Sequence, residues 1–222
     1  MATEDIFAPA PLPLTLTFFG HATLGMTYGK TVIHVDPATE FADYTRMPKA
    51  DVILVTHEHS DHLDLEALAA LRKDSTSIVV ASKCAGKVTG AIVLQNGESR
   101  SLYGIRVEAV PAYNIVHMRA PGSPFHPRGN GNGYVLTLGE RRVYIAGDTE
   151  NTREMKALKG IDIAFLPMNL PYTMTPEMVA DAALSFRPKI LYPYHFGDTD
   201  TSKLTSLLAS AKDIEVRIRP MK

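Results

Sequence analysis

The segment that most limits what this chain can become is His57-Glu58-His59-Ser60-Asp61-His62, which follows directly on Ala50-Asp51-Val52-Ile53-Leu54-Val55-Thr56. The first seven residues are mostly apolar and rich in β-branched side chains, the composition of a buried strand. The six that follow offer three imidazoles and, in Asp61, a carboxylate as metal ligands within a short piece of backbone. In an extended stretch, side chains two apart point to the same side, so His57 and His59 can converge on one cation. Asp61 and His62 come as the chain turns and can reach a second. A ligand cluster at the end of a buried strand demands a fold that gathers strand ends at one edge, where α/β proteins collect ligands and catalytic groups.

The rest of the chain reads as strands with a few helices. Leu14 to Phe19 alternates threonine with apolar residues, and Ala22 to Tyr28 and Thr31 to Val35 form a hairpin about Gly29-Lys30. Leu63 to Leu71 has helical spacing. Short strands are expected at Ser77 to Ala81, Ala91 to Leu94 and Leu102 to Pro111. A second hairpin pairs Gly133 to Leu138 with Arg142 to Ala146, and buried strands follow at Ile161 to Pro167 and Lys189 to Tyr194. Thr175-Pro176 starts a helix that stops before Pro188. Ser202 to Ala211 predicts a last helix, and Ile214 to Ile218 an edge strand. Hairpins followed by βα units occur twice, with no linker or low-complexity tract between them, so one domain over residues 1–222 is expected.

Bulk properties exclude several roles. With 222 residues and 45% hydrophobic content the chain can bury a full core. The net charge of −1 gives no field toward nucleic acid or anionic lipid. Cys84 is the only cysteine, which suits a reducing, cytoplasmic setting and reads as a small buried hydrophobe. Residues 1–13 hold acids and prolines without a long apolar core, which predicts a flexible N-terminal arm rather than a secretory signal. No apolar run approaches the ~18–20 residues of a membrane span.

Further candidates lie at other strand ends. Asp148 follows Ile145-Ala146-Gly147, where the glycine lets the chain turn and leaves the carboxylate at the end of the strand. Helix capping near Thr152 is its alternative role. His195 closes Leu191-Tyr192-Pro193-Tyr194. Asp36 lies between Val35 and Pro37, and His21 follows Gly20.

Taken together, these motifs resemble the metallo-β-lactamase-fold hydrolase superfamily, most closely its small single-domain, lactonase-like branch. The resemblance runs from about Leu14 to the C-terminus. It implies an α+β fold: a four-layer αββα sandwich of two mixed sheets packed face to face, with helices outside. It also implies one or two divalent metal ions, zinc first and manganese next, held by His57, His59, Asp61, His62, Asp148 and His195. Asp148 would bridge the ions, and Asp36 would support the ligands through hydrogen bonds. Asp61 and His21 are the implied catalytic residues, Asp61 orienting the nucleophile or moving its proton.

One position departs from the pattern. Many members carry a third histidine for the first metal in a Pro-Ala-Trp/Tyr-His-like stretch, and here Pro111-Ala112-Tyr113 is followed by Asn114. His117 and His126 are the substitutes at hand, with His126 preferred, and Asn114 then stands behind the ligands. The implied function is a metal-dependent hydrolase that uses a metal-bound hydroxide on a small ester, lactone or phosphoester. The alternatives are a nuclease of the same superfamily, disfavoured by the near-neutral charge, and a non-catalytic metal-binding protein with a degraded site. A small-molecule substrate is the expected partner, with no nucleic acid and no membrane.

Overall fold

A computed structural model of the protein describes residues 2–222. Two seven-stranded sheets carry it. The first is β1 (Thr3–Phe7), β2 (Leu14–Gly20), β3 (Thr23–Tyr28), β4 (Thr31–Val35), β5 (Val52–Val55), β6 (Ser77–Ala81) and β7 (Ile92–Leu94), in that spatial order. The second runs from β8 (Ser99–Leu102) through β9 (Ile105–Ala112), and a small separate hairpin of β10 (Met118–Ala120) and β11 (Ser123–Pro124) projects after β9. It continues with β12 (Gly131–Leu138), β13 (Arg141–Ile145), β14 (Ile163–Pro167), β15 (Ile190–Tyr194) and β16 (Glu215–Val216), in the spatial order β16-β15-β14-β13-β12-β9-β8. Each sheet starts antiparallel and turns parallel, at β4–β5 in the first and β13–β14 in the second. This is the mixed-sheet metallo-β-lactamase architecture that the motifs imply.

The period-2 alternation of β5 explains the layering. Val52 and Leu54 pack into the large core shared with the second sheet, while Ile53 and Val55 face the opposite way. There they meet Ala67, Leu68 and Leu71 of α1 (Leu65–Leu71), whose first turn is capped by the Asp64 carboxylate. The second sheet is covered on its far side by α2 (Arg153–Lys156), α3 (Pro176–Phe186) and α4 (Thr201–Leu207), with Phe186 set edge-on to Tyr144 at 6.0 Å between ring centroids. Thr152, not Asp148, caps α2. Among the described residues no helix is long and apolar enough to cross a membrane.

Two expectations are corrected. The strand expected over Leu102 to Pro111 begins only at Ile105, as β9; Leu102 ends a further strand, β8, and the two form a hairpin because Tyr103 and Gly104 both take positive φ (51° and 76°) and turn the chain. The flexible arm expected over residues 1–13 contains a strand. Thr3 to Phe7 pairs antiparallel with β2 along its whole length, and all the prolines of this stretch fall in the connection after it. Its anchor is Asp5, which accepts hydrogen bonds from the Tyr192 hydroxyl, from Arg217 and from Arg219 in bidentate fashion.

Burial pushes the Asp5 carboxyl up, but the Tyr192 hydroxyl and the Arg219 guanidinium outweigh it and hold the group below the ordinary aspartate range. A folded-state pKa below the unfolded one stabilises the fold above the ordinary aspartate range, and the gain is lost as pH falls through the folded value. Asp5→Ala is expected to lower unfolding free energy by about 1.5–3 kcal/mol at neutral pH in urea titrations. The difference from the wild type should shrink below about pH 4.

Candidate metal centre

The parallel strands all end on one side, and the chemistry sits there. Asp36 follows β4, the histidine cluster follows β5, Asp148 follows β13 and His195 follows β15. His21 sits at the tight β2–β3 turn. Three of these positions, His21 (φ 51°), Asp36 (φ 43°) and His195 (φ 48°), adopt left-handed backbone. Non-glycine residues persist there only when their surroundings over-determine them. Gly147 (φ 65°) is required for a second reason: a Cβ at this position would lie 2.8 Å from the Asn132 carbonyl oxygen. The chain can therefore fold back here and present Asp148.

The two sheets are tied together at this end by polar bonds. The Tyr134 hydroxyl donates to the Val55 carbonyl at 2.8 Å, and the Asn132 amide donates to the Thr56 carbonyl at 2.9 Å. Within the second sheet, the Tyr194 hydroxyl accepts from the Gly147 amide at 2.9 Å. Asp36 is fully buried and fully used: it accepts from the Thr56 amide (2.7 Å), the Thr56 hydroxyl (2.6 Å) and His62 Nδ1 (2.7 Å).

The imidazole tautomers follow from these partners. The Thr56 hydroxyl donates to Asp36, so its oxygen accepts from His57 Nδ1 at 3.0 Å. His62 Nδ1 donates to Asp36. His126 Nδ1 lies 2.7 Å from Asn114 Oδ1, which accepts from it. When these rings are neutral, Nε2 of each is left as a lone pair pointing into the centre.

Two groups result, joined by a third made of His57, His62 and Asp148. His57, His59 and His126 bring ligand atoms within 4.8 Å of one another, as do His21, Asp61, His62 and His195. Asp148 lies between them. Its Oδ2 is 3.9 Å from His57 Nε2, 3.3 Å from His126 Nε2 and 3.5 Å from His195 Nε2, while Oδ1 is 3.5 Å from His62 Nε2. His57 Nε2 stands 3.0 Å from His59 Nδ1. Asp61 Oδ2 is 3.0 Å from His21 Nε2 and 3.6 Å from His195 Nε2.

These contacts suit a cation rather than mutual hydrogen bonds. At zinc–nitrogen distances of about 2.0–2.1 Å, neighbouring ligand atoms of a tetrahedral shell lie about 3.4 Å apart. Nε2 of His62, His126 and His195 and Oδ1 of Asp148 are buried with no protein partner, a state proteins avoid unless something else satisfies the atoms. The donor set, imidazole nitrogen and carboxylate oxygen, is that of zinc, manganese and iron sites.

Electrostatics point the same way. Burial, helped by His62, holds His57 well below the ordinary histidine range, and burial with His126 lowers His59. Both are thus neutral imidazoles, the form that ligates. Burial raises the Asp148 carboxyl, but the neighbouring His195 and His62 outweigh it and keep the group ionised. Burial disfavours the charged form of His62, yet Asp148 and Asp36 push the ring well above the ordinary range, so the two carboxylates draw positive charge into this space, as a proton on Nε2 or as a cation in its place. Asp61 is held far below the carboxylate range, against the effect of burial, by the neighbouring His195, His21 and His62 rings.

Of the two substitutes for a third histidine, only His126 joins the His57–His59 group; His117 Nδ1 lies 2.8 Å from Glu150. Two further groups shape the site. One is Glu150, a fully buried carboxylate two residues after Asp148. The other is the wall of the cleft above the site, a space of about 410 Å³ lined by Arg119, Phe125, Asn169 and Tyr172 together with His21 and Asp61. A carboxylate adjoining a candidate ligand in the Gly147-Asp148-Thr149-Glu150 turn was the available hint.

The comparisons with known proteins agree with this geometry. The sequence profile of a beta-lactamase superfamily domain matches residues 15–195. A metal-dependent hydrolase of Heliobacterium modesticaldum is 32% identical over 203 residues, covering 82% of each chain. A crystal structure from Parabacteroides distasonis, of a protein assigned to the metal-dependent hydrolases, is 48% identical, with a TM-score of 0.94 over 100% of both chains. Igni18, a metallo hydrolase of the archaeon Ignicoccus hospitalis, shares the fold at 24% identity (TM-score 0.78, 94% and 95% of the two chains). The chain belongs to the beta-lactamase superfamily and has the metallo-β-lactamase fold. Within it, the protein is a metal-dependent hydrolase.

Metal and fold should be linked. Chelator-treated protein is expected to melt at lower temperature, and zinc added to about 100 times its dissociation constant should return about 2.7 kcal/mol of stability. A melting curve that ignores zinc, manganese and iron(II) alike would contradict the centre.

Proposed function

We propose that the protein hydrolyses a small ester, lactone or phosphoester with two divalent ions, zinc by preference. His57, His59 and His126 would hold one ion and Asp61, His62 and His195 the other, with Asp148 shared. The observation that carries this reading is the convergence of ring nitrogens on both oxygens of the buried Asp148. When bound, the ions supply Lewis acidity, which makes water acidic enough to attack near neutral pH and polarises the oxygen of the scissile group.

The side chains supply the rest. Asp61 lines the cleft with its side chain 37% exposed, and it is paired with His21 at 3.0 Å. Held ionised far below the carboxylate range, Asp61 can orient the attacking water, and His21 Nε2 beside it can hold the released proton and give it to the leaving group. His21 is held in place for that transfer, since its ring stacks on Phe41 and on His195 and its carbonyl accepts from the His195 amide. Asp36 and Thr56 keep His57 and His62 in the ligating tautomer.

The cleft supports a small substrate. Its volume falls within the range of small-molecule sites and is far too small to seat a nucleic-acid duplex. Phe125 and Tyr172 form an edge-to-face pair, ring centroids 5.1 Å apart, and Arg119 lies over Phe125. Arg119 is the only permanently cationic side chain among the residues lining the cleft, and it suits a carboxylate or phosphate on the substrate. The near-zero net charge favours a small molecule over nucleic acid or membrane, and the single buried cysteine suits the cytoplasm.

His126→Ala is expected to remove one metal equivalent and lower kcat/KM by more than about 100-fold, while His117→Ala keeps both metals. Elemental analysis beside assays on lactone, carboxylester and phosphodiester panels would read this. Full activity in a metal-free His126→Ala protein would reject the mechanism. Arg119→Ala should raise KM for anionic substrates by roughly 10-fold and leave neutral ones unaffected.

A further inference from the structure

Asn114 occupies the strand end where a third histidine is expected, and its amide has no freedom. The His126 backbone amide donates to Asn114 Oδ1 at 2.8 Å, and a backbone N–H can only donate. On the other side, Asn114 Nδ2 donates to Glu150 Oε1 at 3.1 Å and to the Tyr172 carbonyl at 2.9 Å, and both of these can only accept. Flipping the amide would set donor against donor on one side and acceptor against acceptor on the other. The oxygen therefore faces His126. A second link, Asn114 amide to His126 carbonyl at 2.9 Å, pins the two residues across the loop between them.

Glu150 is fixed just as firmly. Its carboxylate accepts from the backbone amides of Ile115, Val116 and His117 at 2.8, 2.7 and 2.7 Å. Asn114 Nδ2 adds a fourth donor, so both oxygens are met by N–H groups and the group only accepts. A charged, buried acceptor two residues from Asp148 thus holds the first turn of the loop that carries His126.

We propose that Asn114, held by Glu150 and the Tyr172 carbonyl, is the positioning residue that fixes His126 as its Nδ1–H tautomer and makes it the third imidazole of the His57–His59 group. The histidine missing from the strand end is thereby supplied from the loop, and the amide in its place orients it. This rests on the two-metal reading above and names how one of its sites is built.

Zinc competition titrations with a chromophoric chelator, together with long-range ¹H–¹⁵N spectra of ¹⁵N-histidine-labelled, zinc-loaded protein, test it. The wild type is expected to bind two zinc ions, with His126 protonated at Nδ1 and shifted by coordination at Nε2. Asn114→Leu should weaken one of the two ions by roughly 10–100-fold and leave the other unchanged, and Glu150→Gln should weaken the same ion. Two ions bound with wild-type affinity in Asn114→Leu, or His126 protonated at Nε2 in the wild type, overturns the positioning role and leaves the two-metal reading standing. A wild type that binds no zinc through His126 overturns both. The wild-type spectrum alone decides the matter should either variant fail to fold.

Discussion

The structure around the active end is organised by one buried carboxylate. Asp148 is almost sealed from water and ionised, and its Oδ1 has no hydrogen-bond donor from the protein. Leaving such a group uncompensated costs several kcal/mol. In their ligating tautomers the surrounding rings do not relieve this by donating, because the N–H groups of His57, His62 and His126 are spent on Thr56, Asp36 and Asn114. Lone pairs are thus aimed at lone pairs across a common space, an arrangement that makes physical sense only about positive charge. A folded core with this interior is built to be completed by cations, and its stability and its chemistry share one origin.

Holding such a centre requires stiffness. The candidate ligands come from strand ends in two sheets, so any sliding of one sheet over the other would pull the two groups apart. The Tyr134–Val55 and Asn132–Thr56 bonds fasten the sheets at this end, the Tyr194–Gly147 bond braces the second sheet, and the large shared core acts throughout. Left-handed backbone at His21, Asp36 and His195 is tolerated because these bonds leave no alternative. At the other extreme of the first sheet, Asp5 ties the N-terminal strand to Tyr192 and Arg219, so the edges of the two sheets are joined as well.

What the sequence displayed depended on how local each signal was. The His57 to His62 cluster is contiguous, and alternation plus a following polar residue marked the strand ends at Asp36, Asp148 and His195. The two mixed sheets followed from the motif resemblance rather than from periodicity. The preference for His126 over His117 had only a weak basis in the sequence, because the choice depends on how the loop after Asn114 folds back, and that is set by Glu150, a carboxylate that reads as an ordinary turn residue. The strand at Thr3 to Phe7 was hidden for a related reason. It is an edge strand whose residues are mostly exposed, so it lacks an apolar face, and its anchors Arg217 and Arg219 lie at the far end of the chain.

The exchange at Asn114 changes more than the address of a ligand. A histidine on the strand end would be rigid with the sheet and independent of the substrate. His126 instead adjoins Phe125, and its loop also carries Arg119, so a proposed metal ligand and the wall of the cleft belong to one segment. The Tyr172 carbonyl, from the opposite wall, accepts from the same Asn114 amide that holds His126. In this chain the wall of the cleft and the His57–His59–His126 group share one segment, and Glu150 holds the first turn of that segment through three backbone amides.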